Sequence, residues 1–243
     1  MQRRYITENI INFRDLGGYS CDGGVTAYGR AFRAGVGRNP SEKDLDVLRR
    51  CNIRTVIDLR GNEEAEDMPS YFKDNPEFEY HHISLLEANP AFAKSDMTMP
   101  EVYELCLNEY KENFAKVLRV IASLDAPFMF HCFCGKDRTG MLAALLLSAA
   151  GVENCDIVAD YQVSYTYIKG FIEKEIRENT GLIWEGSYDR FYSRAEHMEH
   201  ILGYINRAFG GAKGYFRHIG LTENEIEKIE KLLNHKPPVE PVV

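Results

Sequence analysis

The sequence contains no long apolar run, no excess of positive charge and no interior stretch rich in proline, glycine and serine. Its longest apolar run, residues 141–152, is interrupted by Ser148 and Gly151 and is shorter than the ~20 residues that span a bilayer. Lysine and arginine number 29 against 37 acidic residues, which gives a net charge of −8. This balance lacks the basic face that sequence-independent nucleic-acid binding needs, and it disfavours docking on anionic membranes. We therefore predict no nucleic-acid partner and no stable membrane insertion.

The cysteines are too few and too scattered to form the disulfide framework of a small secreted scaffold. The N-terminal residues include two arginines but no apolar stretch behind them, so no signal peptide is predicted. We expect reduced thiols in a cytoplasmic protein, and secretion by a route without a cleaved signal stays open. The six cysteines are Cys21, Cys51, Cys106, Cys132, Cys134 and Cys155.

The chain is long enough to bury a stable core without disulfides or a structural metal, and no interior stretch has the composition of a linker. One domain over residues 1–234 is predicted, followed by a flexible, proline-rich tail at 235–243. Short apolar segments alternate with helical patterns, which predicts an α/β fold with a central, mostly parallel sheet flanked by helices. The predicted strands are 31–34, 53–59, 78–83 and 127–131, and the predicted helices are 42–51, 100–124, 139–150, 155–178, 190–209 and 223–234.

The chemistry is expected in residues 128–140, where the pattern indicates a strand, a loop and a helix. Ligands of open α/β sheets bind where strands end and helices begin, and a helix N-terminus offers unpaired N–H groups to an anion. Five residues separate Cys132 from Arg138, so the loop can curl with its N–H groups inward. Arg138 would then hold two phosphate oxygens, and the same positive field would favour a Cys132 thiolate as nucleophile.

The residues around these two are predicted to line the phosphate site. The Thr139 hydroxyl is expected to donate a hydrogen bond to the Cys132 thiolate when Cys132 is the leaving group. His131 is expected to hydrogen-bond the loop rather than transfer a proton. The Cys132–Cys134 pair has no second pair of ligands at matching spacing, so neither a metal nor a cofactor is predicted. The predicted substrate-binding residues are Phe133, Cys134, Gly135, Lys136 and Thr139.

Residues 131–140, HCFCGKDRTG, resemble the signature of the cysteine-dependent tyrosine phosphatases: His-Cys, five residues, Arg, Ser or Thr, and Gly. The Gly-Lys-Asp before the arginine is similar to an atypical bacterial and fungal branch of that superfamily. Further blocks resemble the same branch in the same order. They are residues 12–19 (NFRDLGGY), 30–35 (RAFRAG), 55–60 (TVIDLR), 151–161 (GVENCDIVADY) and 220–233.

The resemblance implies a tyrosine-phosphatase-like fold with a helical lid. It also implies dual or triple specificity for phosphotyrosine, phosphoserine or phosphothreonine, and phosphoinositides. Lys136 is expected either to serve the phosphoinositides or to be a solvated lysine on the rim of the loop. The lid falls near residues 161–191, whose aromatic residues are expected either to frame a phenol-accepting pocket or to pack as ordinary core. Those aromatic residues are Tyr161, Tyr165, Tyr167, Trp184 and Tyr188, and the turn expected to brace the loop contains Arg14, Asp15, Gly17 and Gly18.

A general acid is needed because the leaving oxygen takes up a proton as the P–O bond breaks. Conventional relatives carry this acid on a Trp-Pro-Asp loop, but Trp184 is followed here by Glu and Gly. Asp137 inside the loop is the favoured candidate, and Asp58 at the end of a predicted strand is the second. The structural alternatives are a salt bridge from Asp137 to an arginine, anchoring of backbone or Arg33 by Asp58, and a pair of Arg60 with Glu63 or Glu64.

We predict a hydrolase of phosphoric monoesters that acts on phosphorylated protein or on phosphoinositide through a phosphocysteine intermediate. The alternatives are a phosphate-binding module without turnover and a dedicated phosphoinositide phosphatase. Rhodanese-like sulfur transfer is disfavoured because such loops usually have four residues between the cysteine and the basic residue. Arsenate reduction is disfavoured because Cys134 lies too close to Cys132 to be a convincing resolving cysteine. No oligomeric state is predicted.

Overall fold

The central sheet has five strands, four of them parallel, in a computed structural model that describes residues 2–87, 97–178 and 190–234. The strand order is β1-β4-β7-β5-β6, with β1 antiparallel to β4 at the edge. β2 and β3 form a separate hairpin. The strands are β1 (Arg14–Asp15), β2 (Ser20–Cys21), β3 (Gly24–Val25), β4 (Ala31–Ala34), β5 (Thr55–Asp58), β6 (Glu79–His82) and β7 (Phe128–His131). The predicted mostly parallel sheet is confirmed.

Helices cover both faces of this sheet. One face packs on α1, whose N-terminus is closed by a capping box between Ser41 and Asp44. The other face packs on a larger core built from the later helices. The described helices are α1 (Glu42–Arg50), α2 (Asn62–Asp67), α3 (Met99–Glu109), α4 (Lys111–Ser123), α5 (Asp137–Ala149), α6 (Asn154–Arg177), α7 (Ala195–Phe209), α8 (Ala212–His218) and α9 (Glu223–Leu233).

The three inner strands β4, β5 and β7 are buried at every position. A strand covered on both faces shows an apolar run instead of alternation, and that signal is clear in residues 128–130 of β7, whereas Arg33 interrupts it in β4 and Asp58 ends it in β5. Phe32 and Met129 point to the core under α1, whereas Phe128 and Phe130 point to the larger core. With both faces covered, the carboxyl ends of the strands are where a ligand site can form.

The predicted helix over residues 100–124 is wrong as a single element, because two helices meet at Tyr110. Tyr110 leaves helical geometry with φ −101° and ψ 19°. The break lets α3 pack against α7 while α4 packs against α9. No proline or glycine marks the position, so tertiary packing sets the break and the sequence carried no signal for it.

The remaining differences are at element ends and in short elements. The helix predicted from residue 190 begins at Ala195, and α2, α8, β1 and the β2–β3 hairpin were not predicted. Among the described residues, no helix is long and apolar enough to cross a membrane. The tail at 235–243 lies outside the described residues, as do Trp184 and Tyr188 of the expected lid.

Candidate active site

The loop after β7 lies at the carboxyl end of the parallel strands, between His131 and the start of α5 at Asp137. Gly135 adopts φ +67°, and a Cβ placed there would lie 2.3 Å from the carbonyl oxygen of Ala34. Only glycine fits this position, since it combines a left-handed conformation with a close backbone approach. The loop can therefore fold tightly against the end of β4.

The carbonyl groups of the loop are all turned away from its interior. His131 Nδ1 lies 3.2 Å from the Cys132 oxygen, and the Val36 N–H donates to the Phe133 oxygen at 2.8 Å. His131 is fully buried, and burial lowers the pKa of its imidazole although the Asp58 carboxylate opposes this; a proton on Nδ1 makes the ring the donor in this contact. The first two carbonyls of the loop thus accept hydrogen bonds from outside it.

Two buried side chains hold the next three carbonyls. Asn12 Nδ2 donates to the oxygens of Cys134 (3.0 Å) and Gly135 (2.9 Å). Arg33 Nη2 donates to the oxygens of Gly135 (2.8 Å) and Lys136 (3.4 Å). Because C=O and N–H lie on opposite sides of a trans peptide, the N–H groups of residues 133–137 point into the loop. This arrangement is an anion-binding nest.

A buried ion cluster stands behind these donors. Asp160 receives Arg14 Nε on Oδ1 at 2.8 Å and Arg33 Nη1 on Oδ2, and the Tyr19 hydroxyl adds a hydrogen bond at 2.9 Å. Burial would raise the pKa of Asp160, but the two guanidinium groups outweigh it and lower that pKa. Arg14 also reaches the Asn12 side chain. The structure therefore places Arg14, one of the residues expected to brace the loop, directly behind it.

The other residues of the expected bracing turn act on their own backbone. The Asp15 carboxylate accepts the N–H groups of Gly17 (2.9 Å) and Gly29 (2.6 Å). Burial raises the pKa of Asp15 to about 6, against these hydrogen bonds. Gly17 lies against the Tyr28 backbone and Gly18 against the Tyr28 side chain, and a Cβ at either position would clash.

Cys132 lies at the base of the loop and is 2% exposed. Arg138 is held by Glu64, with Nη1 on Oε2 and Nη2 on Oε1 at 3.0 Å. Burial opposes charge in both groups, but the pair lowers the pKa of Glu64 and raises that of Arg138. The Glu64 carboxylate fixes the plane of the guanidinium, because a bidentate contact leaves it one orientation.

Glu64 is the functional residue that sequence reasoning assigned wrongly. The sequence offers Glu63 or Glu64 as an ion-pair partner of Arg60, but in the structure Arg60 pairs with Asp58 through Nη2 and Oδ2 at 2.7 Å. The short helix α2, which carries Glu64, was not predicted either. The sequence signal for this residue was the Asp-Leu-Arg block followed by two glutamates. It indicated an acidic residue after β5 but did not indicate that this residue binds Arg138.

Asp58, the second candidate acid, is fully buried. Its carboxylate accepts hydrogen bonds from the Arg60 guanidinium and, at 2.8 Å, from the Tyr80 hydroxyl, and His131 Nε2 lies 3.8 Å away. Burial would raise the pKa of Asp58, but His131 and Arg60 lower it well below its usual range. The charged and hydrogen-bonding partners of Asp58 therefore outweigh its burial and favour the carboxylate over the protonated acid.

Asp137, the favoured candidate, lies beside Arg138 in a cavity of about 290 Å³, and its side chain is 33% exposed. The Tyr103 hydroxyl donates to Oδ1, and Lys136 Nζ lies 3.0 Å from the same oxygen. Tyr103 also shares a 2.7 Å hydrogen bond with the Tyr161 hydroxyl. The salt bridge considered for Asp137 is thus made to a lysine instead of an arginine.

The remaining predicted loop residues occupy different environments. Cys134 is buried against Ile168 and Ile172, and burial raises the pKa of its thiol. The Thr139 hydroxyl is buried and has no hydrogen-bond partner among the described residues, the Cys132 sulfur included. Phe133 stacks edge-on against Phe171 and borders a second cleft of about 1090 Å³.

The described aromatic residues of the expected lid contact different partners. Tyr161 is buried under Tyr103, and Tyr165 packs on Tyr192 with ring centroids 4.5 Å apart. Tyr167 stacks beneath the Arg4 guanidinium at 4.0 Å. Within the described ranges, no group of three or more metal-ligating side chains is arranged to hold a metal ion.

Comparison with known proteins places this geometry in a family. The model of the tyrosine phosphatase family matches residues 6–235, nearly the whole chain. This protein belongs to the tyrosine phosphatase family. The predicted resemblance is confirmed, and the chain is a protein-tyrosine phosphatase.

Relatives of this phosphatase are found in distant bacteria. A tyrosine-protein phosphatase of Nostoc commune is 31% identical over 205 residues, which cover 78% of this chain and 69% of that protein. The triple specificity protein phosphatase PtpB of Mycobacterium tuberculosis is 29% identical over 267 residues, covering 91% and 96%. The crystal structure of P. aeruginosa TpbA in complex with pTyr matches at 15% identity and a TM-score of 0.35, over 56% of this chain and 70% of that one.

Proposed function

We propose that this phosphatase hydrolyses phosphotyrosine through a covalent phosphocysteine formed on Cys132. The observation that carries the proposal is the loop, whose five outward carbonyls leave five N–H groups around one point. Inward N–H groups, the N-terminus of α5 and Arg138 place positive charge around the phosphate site, where the proposed nucleophile Cys132 lies. They also stabilise the charge that spreads over the equatorial oxygens in the transition state.

The first step exchanges an oxygen for a sulfur on phosphorus. The Cys132 thiolate attacks the phosphorus, the bond to the phenolic oxygen breaks, and that oxygen takes a proton from Asp137. In the second step water attacks the phosphorus and gives its proton to the Asp137 carboxylate. The P–S bond then breaks, inorganic phosphate leaves, and the Cys132 thiolate is restored with a hydrogen bond from Thr139.

Asp137 is proposed as the acid in preference to Asp58. Asp137 shares a cavity with Arg138 and is partly exposed, whereas Asp58 is sealed under Arg60 and Tyr80. A general acid must be protonated and must reach the leaving oxygen. Asp58 meets neither requirement, because it is fully buried and its partners lower its pKa. Asp58 is therefore proposed as an anchor that fixes Arg60 and the end of β5.

The range of substrates is proposed from the relatives. PtpB is named a triple specificity phosphatase, which supports hydrolysis of phosphoserine and phosphothreonine as well as phosphotyrosine. Phosphoinositide hydrolysis is proposed as a further activity from the same family resemblance, and the substrate panel tests it. We also propose that residues 1–234 act as one catalytic domain in the cytoplasm, without a metal or cofactor.

A substrate panel tests the proposal directly. Wild type and Cys132→Ser are compared in EDTA on p-nitrophenyl phosphate, phosphotyrosine and phosphoserine peptides, and phosphatidylinositol monophosphates. Phosphate release by wild type alone supports the mechanism, and the preferred substrate defines the range. Capture of a phosphotyrosine peptide by wild type without turnover would identify a phosphate-binding module instead.

A further inference from the structure

Lys136 was expected to face substrate, but its side chain is turned into the protein and is 1% exposed. An ammonium group has three N–H donors, and three acceptors surround this one. Nζ donates to the carbonyl oxygens of Arg190 at 2.5 Å and Tyr192 at 3.4 Å, and it lies 3.0 Å from Asp137 Oδ1. Every donor of Lys136 is therefore engaged inside the protein.

The charge of Lys136 is retained despite burial. Burial alone would lower the pKa of this ammonium, but the neighbouring Asp137 carboxylate outweighs burial and raises the pKa. A buried charge is stable only while its partners stay in place. Lys136 thus links the catalytic loop, to which it belongs, to the Asp137 carboxylate and to the backbone of residues 190–192, just before α7.

On the basis of the proposed phosphatase chemistry, we infer that Lys136 is a positioning residue for the general acid and not a ligand of the substrate. Lys136 and Tyr103 both bind Oδ1 of Asp137, while Oδ2 accepts no hydrogen bond from any residue that the structure describes. The two contacts fix the rotation of the carboxyl group. Oδ2 is then the oxygen that carries the proton to the leaving group.

The same contacts determine substrate class. A second phosphate on an inositol ring would need a free cation near the loop, and Lys136 has no donor left for it. Lys136 therefore adds nothing to the binding of phosphoinositides over simple phosphomonoesters. Its contribution lies in kcat, and it is largest for esters whose leaving group needs protonation.

Leaving-group dependence tests the inference. Lys136→Met, Asp137→Asn and the double variant are compared on phenyl phosphate, a poor leaving group, and p-nitrophenyl phosphate, a better one. Lys136→Met should lower kcat by about 10-fold or more on phenyl phosphate and by about 2-fold on p-nitrophenyl phosphate, with KM nearly unchanged. The double variant should lose no more than Asp137→Asn alone, because both changes disable one acid.

The controls separate this inference from the proposed function. Lys169→Met removes an exposed lysine of α6 and should leave both reactions unchanged. If Lys136→Met does not fold, Lys136→Gln keeps donors for the two carbonyls and is measured in the same way. Equal losses on both esters, losses that add in the double variant, or a KM increase confined to a phosphatidylinositol bisphosphate would overturn the inference. Turnover that survives Cys132→Ser would instead overturn the proposed function.

Discussion

At the scale of single residues, the site depends on paired carboxylates that serve different ends. Glu64 orients a guanidinium, Asp58 anchors one, and Asp160 neutralises two. Of these four carboxylates, Asp137 has the most exposed side chain, at 33% against 21% for Glu64, and its ion pair is with a lysine. The different environments of these four carboxylates distinguish their roles more clearly than their positions in the sequence do.

Glu64→Gln should reduce catalysis without unfolding the protein. The amide keeps one acceptor for Arg138 but loses the charge and the bidentate contact, so the guanidinium is no longer fixed. We expect kcat/KM on p-nitrophenyl phosphate to fall about 10- to 100-fold, as misplaced catalytic groups do. The adjacent, exposed Glu63 supplies the control: Glu63→Gln should match wild type, and equal losses in the two variants would refute the assignment.

Asp58→Asn should chiefly affect stability. Removing one partner of a buried ion pair leaves Arg60 uncompensated, which typically costs about 3–5 kcal/mol of unfolding free energy. Urea unfolding measures this loss. Asp46→Asn, in an exposed pair with Arg49, should cost about 0–1 kcal/mol. A stable Asp58→Asn enzyme with a selective loss on phenyl phosphate would make Asp58 the acid after all.

At the scale of elements, the catalytic loop is a tight turn that one glycine permits. Gly135→Ala would place a methyl group 2.3 Å from the Ala34 oxygen in a left-handed conformation. We expect a destabilisation of at least about 1–3 kcal/mol and a severe loss of activity. Gly170→Ala, in α6 with no atom within 4 Å of the new methyl group, should keep activity and gain up to about 1 kcal/mol. Thermal unfolding and kcat/KM measure both effects.

The elements that the sequence predicted are those with a local signal. β7 follows from a continuous apolar run and β4 from a short run that contains one arginine, and the loop follows from residues that are neighbours in the chain. The break at Tyr110 and the short helix α2 depend on packing between distant segments, so no local pattern announced them. The same reason hid the roles of Asn12, Tyr103 and Glu64, since each acts on a group far away in sequence.

Lys136 shows the limit of a motif most clearly. Its position inside the loop was predicted, and the resemblance implied that it faces substrate. The direction of its side chain is set by the carbonyls of Arg190 and Tyr192, which lie 54 and 56 residues away. A motif fixes which residue stands at a position, but the rest of the fold decides what that residue contacts.

At the scale of the whole molecule, buried carboxylates should give stability a maximum in mildly acidic solution. Asp58 and Asp160 have lowered pKa values, so their contribution is present above the unfolded value near 4 and is lost as the pH falls further. Asp15 has a pKa raised to about 6, so its contribution is present below about 4 and is lost as the pH rises through 6.

Urea unfolding at pH 3, 5 and 7.5 measures these opposing effects. We expect the unfolding free energy to fall from pH 5 to 3 in wild type and in Asp15→Asn alike. The fall from pH 5 to 7.5 should be smaller in Asp15→Asn, because the variant has no carboxyl to ionise at that position. Identical slopes above pH 5 would show that Asp15 does not titrate there.

The outward carbonyls of the loop have a consequence for the order in which heat damages the enzyme. Their donors Asn12 and Arg33 lie 122 and 102 residues from the oxygens they hold. The N-terminal segment and the middle of the chain must therefore stay joined for the nest to exist, and none of the described helices lies before Glu42. On warming, release of the segment around Asn12 would abolish turnover while most of the circular dichroism signal persists, so activity would report on the joining of two distant segments before spectroscopy detects unfolding.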